Sequence, residues 1–131
     1  MSRGLILGSG LFSLAIAGLH VFGGGPELHV PALNSALDPA WKAAFSTIWH
    51  QVTAFLIFNG IFLLMAGRSV HFSRGLVTLI MVQNAAFAVL FFAYGWFRLG
   101  TPFVLLQWVL FLPLALLLLL ALLRDKASQV A

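Results

Sequence analysis

The sequence predicts an all-α fold, a single integral membrane domain over residues 1–131 made of four transmembrane helices, with both termini on the cytoplasmic side. Three observations predict it. The chain is 62% hydrophobic and only 8% charged, whereas a soluble domain carries about 25% charged residues, so lipid must cover most of its surface. Apolar runs at 4–22, 45–66, 76–97 and 102–123 each approach the roughly 20 residues that cross about 30 Å of hydrocarbon as a helix. Such runs are too long and too continuous for the alternating strands of a membrane barrel, and only helices then satisfy their own backbone groups in lipid. The third observation is where the positive charges fall. Arg3, Arg68, Arg74, Arg124 and Lys126 lie at one set of helix ends, and only Lys42 and Arg98 lie at the other, which places the first set and both termini in the cytoplasm.

The first helix, 4–22, follows a single basic residue, Arg3, and precedes no small-residue cleavage site, so it reads as a retained span and not a signal peptide. The run Gly23-Gly24-Gly25-Pro26 is expected to end it, because glycine and proline do not continue a helix. An outer loop over 23–42 follows. Its Leu28, Val30, Leu33 and Leu37 suit either a short interfacial helix after Pro31 or an irregular cap over the bundle. Asp38-Pro39 is an N-cap followed by proline at the first helical position, which starts the second helix at 39 and carries it to 66. That helix is roughly 42 Å long and should project beyond the hydrocarbon.

The third helix, 76–97, meets the fourth through a short turn near Gly100, which makes the two antiparallel neighbours. Thr101-Pro102 repeats the capping pair and predicts the fourth helix over 102–123, with Pro113 kinking it in mid-span or freeing a carbonyl there. Trp41, Trp49, Trp96 and Trp108 all fall in the outer half, as an aromatic belt would. The orientation is tested by labelling intact cells. A single cysteine at Asn34 should react from outside and one at Ser128 should be shielded; the reverse pattern would contradict it.

Several function classes are excluded or left without support. There is no cysteine, so disulfides, thiolate metal sites and dithiol chemistry are absent. The net charge of +4 sits at helix ends and forms no stripe, so it reports topology and not nucleic acid. Glu27 and Asp38 fall in the outer loop and Asp125 in the tail, which leaves no intramembrane carboxylate for a proton-coupled exporter. No serine-histidine-acid or zinc-protease pattern is present, so enzymatic activity has no support. His71 sits beside Arg68 and Arg74 and suits a solvated or headgroup role.

Helical angles sort the remaining polar residues. Ser9, Ser13, Ala17 and His20 share one arc of the first helix, and Ser46, His50, Thr53 and Gly60 share one of the second; such small polar faces pack helix against helix in lipid. On the third helix Gln83, Phe87, Leu90 and Tyr94 share a face that Arg98 extends outward. His20, His50, Tyr94 and Gln107 lie at similar depth, so with Arg98 they form the candidate ligand-binding cluster. His20, His50, Glu27 and His29 are suitable metal or haem ligand types, without a tight spacing motif to join them. Deeper in the membrane, Asn59, Gln83 and Asn84 read as interhelical hydrogen bonding or as part of a polar path.

The Gly18-Leu19-His20-Val21 end of the first helix, the outer loop, and Trp49-His50 leading into an apolar helix resemble the YgdD-like small membrane proteins, a family of unknown function. The resemblance covers the layout of the first half of the chain and implies a four-helix bundle with paired outer histidines. The triple glycine, the longer outer loop and most of the last two helices do not follow that pattern, and no functional residue is carried over.

These readings together describe a small accessory or interaction subunit of the membrane, expected in a bacterial inner membrane. It would hold a lipid, quinone or other apolar ligand near the outer leaflet. The alternative is a redox protein with haem or a metal ion on His20 and His50, and a third reading is a transport component. The expected partners are the lipid bilayer and either a larger membrane complex or further copies of the chain.

Overall fold

The computed structural model describes residues 3–69 and 74–127, with side chains described as far as Arg124. His71, Asp125 and Lys126 lie outside these described side chains. Every described element is helical: α1 Arg3–Leu19, a π-helical segment His20–His29, α2 Val30–Asn34, α3 Pro39–Arg68, α4 Arg74–Leu99 and α5 Trp108–Ala127. Three apolar helices, Arg3–Asn34, Pro39–Arg68 and Arg74–Leu99, are long enough to cross a membrane, while the apolar stretch of α5, Trp108–Arg124, is shorter. The chain thus has the helices of a membrane protein.

The first helix does not stop at the triple glycine. It continues through Pro26 as a π-helix and then as α2, so most of the expected outer loop is helical. Proline lacks an N–H and its ring crowds the carbonyl four residues back in an α-turn; a five-residue turn relaxes both demands. The wider turn closes with the Val30 N–H donating to the Gly25 carbonyl. Gly24 has a packing role here, because a Cβ at that position would stand 3.1 Å from the Trp49 ring. Glycine lets the indole lie against the helix.

Asp38 caps α3 as its sequence suggests, its side chain accepting the Ala40 N–H at 2.8 Å. Thr101-Pro102 does not start the last helix. Gly100, at φ +72°, ends α4 in the left-handed conformation, and the Thr101 N–H donates to the Gly95 carbonyl at 3.2 Å. Pro102 is then pressed onto α4, where a Cβ on Gly95 would meet its Cα at 3.0 Å. The Pro102 carbonyl accepts the Trp108 indole N–H at 3.1 Å. The backbone therefore turns until Trp108, and Pro113 falls in the second turn of α5 instead of mid-span.

α1 packs against α3 and α5, and α4 packs against α5, while α3 and α4 touch only slightly. The α1–α3 seam is built from small residues, as the sequence suggests for these two helices. A Cβ on Gly10 would stand 3.0 Å from the Gly60 carbonyl, and one on Gly67 would stand 2.6 Å from Leu7, so the backbones meet closely. Ser9 and Ser13 are fully buried, and the Ser13 hydroxyl donates to the Leu56 carbonyl across the seam at 2.8 Å. Ser13→Ala should lower stability in detergent by about 1 kcal/mol, the net worth of one such bond; an unfolding titration that is unchanged would remove Ser13 from the account.

Two apolar clusters hold the four long helices together. One, at the arginine end, joins Ile6, Leu63, Ile80 and Leu118; the other joins Ile16, Leu56, Ala88, Phe111 and Leu114. Between their levels lie the buried polar side chains Ser9, Asn59 and Asn84. The amides do not act as the expected glue. Asn84 Nδ2 donates within its own helix, to Ile80, at 2.8 Å, and Asn84 Oδ1 and Asn59 Nδ2 are buried without a partner.

Candidate functional site

α3 and α4 make little contact, and at the Trp49 end a cleft of about 810 Å³ opens between the first helix with its continuation, α3 and the start of α5. Its floor is the second apolar cluster, through Ile16, Leu56 and Phe111. α3 supplies Phe45, Trp49 and Val52 to its wall, α4 supplies Phe91, and the turn before α5 supplies Leu106 and Gln107. The continued first helix supplies His20, Gly24 and, at the rim, Glu27. Had that helix ended at residue 22, the cleft would lack its upper wall.

The polar groups of the cleft are few. Gln107 Oε1 is buried and has no hydrogen-bond partner, and Gln107 sits at the start of α5, where its carbonyl accepts the N–H of Leu110 at 3.0 Å. His20 stacks on Trp49, with ring centroids 4.0 Å apart, and its Nε2 lies 3.2 Å from the Trp49 carbonyl. A carbonyl only accepts, so Nε2 carries the proton and Nδ1 of the neutral ring is an acceptor.

Trp49 is the residue the polar pattern missed. It is buried, and His29 also stacks with it, at 5.3 Å and an interplanar angle of 7°. His29 Nε2 lies 2.9 Å from the Ser46 hydroxyl, and His50 meets the edge of the His29 ring at 5.4 Å. His50 itself is exposed and does not line the cleft. His20 lines the cleft and His50 is exposed, and the stacked rings of Trp49 and His29 run from one to the other. The angular anchor explains the difference. Trp49 falls on the same α3 line as Leu56, Gly60, Leu63 and Gly67, all buried, whereas His50 is about 100° away.

Tyr94 and Arg98 are also exposed, Tyr94 at 58%, and neither lines the cleft. The face that α4 turns inward carries Ile80, Asn84, Ala88 and Gly95, not the expected one with Leu90 and Tyr94. Of the proposed ligand-binding cluster the cleft gathers His20 and Gln107. Of the proposed metal set it gathers His20 and Glu27, and among the described residues no group of three histidine or acidic side chains is arranged to hold a metal ion. A bis-histidine haem site does not fit either, since His50 lies outside the cleft that His20 lines. Neither Asn59 nor Asn84 lines the cleft.

Comparison with protein-family models, with curated proteins and with solved structures finds no match for this chain.

Proposed function

We propose that this chain is a small integral membrane protein that takes up an amphiphile from the bilayer, holding its tail in the cleft between α1, α3 and α5 and its head beside Gln107 and His20. It serves as an accessory or interaction subunit and is not assigned a reaction of its own. The observation that carries this reading is Gln107 Oε1, buried and unpartnered at the edge of an otherwise apolar cleft. A buried acceptor left without a donor costs roughly 1–3 kcal/mol, and a ligand head that donates to it recovers that energy. Ligand sites have this composition, an apolar lining with a few convergent polar groups and a volume of about 300–1,000 Å³.

The side walls support uptake from the membrane. α3 and α4 leave the cleft unclosed between them, and in a bilayer such an apolar gap is bordered by acyl chains. Reading the Trp49 end as the outer one follows from the arginines at the opposite helix ends.

Native mass spectrometry of protein released from its own membranes tests this reading. One amphiphile per chain is expected, and Val52→Trp, which fills the cleft from its own wall, should abolish it while circular dichroism remains helical. A wild-type protein that carries no bound amphiphile and binds none when it is added would overturn the proposal.

A further inference from the structure

We infer that the cleft selects an uncharged amphiphile whose head donates a hydrogen bond, a hydroxylated head, and discriminates against anionic lipids. The inference rests on the ligand-binding reading above and names the chemistry of its ligand.

The buried polar atom that the cleft leaves without a partner is an acceptor, Gln107 Oε1. His20 spends its one N–H on the Trp49 carbonyl at 3.2 Å, which leaves Nδ1 of the neutral ring as a lone pair. Glu27 adds a carboxylate at the rim. An ester, ketone or quinone head brings only further acceptors, and opposite Gln107 Oε1 it would leave both lone pairs unpaired. A hydroxyl supplies the donor.

Charge gives the second selection. No lysine or arginine lines the cleft, and the cations at that end of the bundle, Lys42 and Arg98, are not among its walls. A phosphate or carboxylate head would enter a low-dielectric space beside Glu27 without a counter-charge, which is unfavourable for both charges. Arg3, Arg68, Arg74 and Arg124, which would favour such heads, are at the other helix ends.

The test uses three probes that share one tail: oleyl alcohol, methyl oleate and oleyl phosphate. They are titrated into the full chain in detergent and bound molecules are counted by native mass spectrometry. The alcohol should bind about tenfold more tightly than the ester, the factor expected of one hydrogen bond, and at least as far above the phosphate. Gln107→Met should make alcohol and ester equal while retaining both, and Glu27→Gln should raise oleyl phosphate binding alone. A decyl benzoquinol and its benzoquinone repeat the comparison with a ring head. A benzoquinol that surpasses oleyl alcohol assigns the natural head to the quinol class, and the opposite order assigns it to an acylglycerol-like alcohol; both keep the donor rule. Equal binding of alcohol and ester to the wild type, or tightest binding of the phosphate, would overturn the inference. If none of the five probes binds saturably, the ligand-binding reading itself fails.

Discussion

Gly60→Leu is expected to be among the most destabilising single changes in this chain, because it forces apart the two helices that set the fold. Even a single Cβ at that position would stand 2.6 Å from Leu14 Cγ and 3.0 Å from the Gly10 carbonyl. The second of these is backbone and cannot rotate away. Overpacking of this kind costs about 1–3 kcal/mol, and the better helix propensity of leucine, worth up to about 1 kcal/mol, offsets only part of it when the substituent is so large. A net loss of about 2 kcal/mol should be read by unfolding in mixed micelles. Gly8→Leu is the control: it lies on the same α1 helix that packs against α3, with nothing within 4 Å of its Cβ position, and should be neutral or slightly stabilising. Equal behaviour of the two variants would show that the α1–α3 seam is not as close as described.

Trp49→Ala should be comparably severe and should also remove the ligand. The indole is buried against Gly24, carries the stacked rings of His20 and His29, and forms part of the cleft wall. Large aromatic truncations in cores cost about 3–5 kcal/mol; a lower figure, about 2–3 kcal/mol, is expected where lipid and not water replaces part of the lost contact. Trp41→Ala removes an exposed indole that takes no part in the cleft and should change stability little. If Trp49→Ala retained its bound amphiphile at wild-type level, the head-end geometry argued from His20 and Gln107 would be wrong.

How far the sequence carried depended on which physical rule each residue obeyed. Asp38-Pro39 was legible because an N-cap is a local device, and α3 begins where that pair places it. The small faces of the first two helices were legible because close approach needs glycine and serine wherever it occurs, and Ser9, Ser13 and Gly60 are all buried. Gly23-Gly24-Gly25-Pro26 was misread because the local rule was overridden by packing. A π-helical turn accommodates the proline, and Gly24 admits Trp49. Thr101-Pro102 matches a capping pattern but starts no helix for the same reason, since its proline is held against Gly95 and α5 begins only at Trp108.

Depth and polarity single out His20 and Gln107 in the sequence, and both line the cleft. The cost of polar groups in lipid favours inward positions for His50 and Tyr94, yet both are exposed, as is Arg98. Trp49, a principal wall, reads as part of the aromatic belt in the sequence, and only its angular alignment with Gly60 and Gly67 on α3 distinguishes its role.

A density map of the protein in nanodiscs of its own lipids tests the central claim most directly. The account predicts three full-length spans and a shorter fourth, with one elongated density lying over Ile16, Leu56 and Phe111 and ending in a head within hydrogen-bonding distance of Gln107. A map in which α3 and α4 close together along their whole length, leaving no density or space between Trp49 and Gln107, would contradict it.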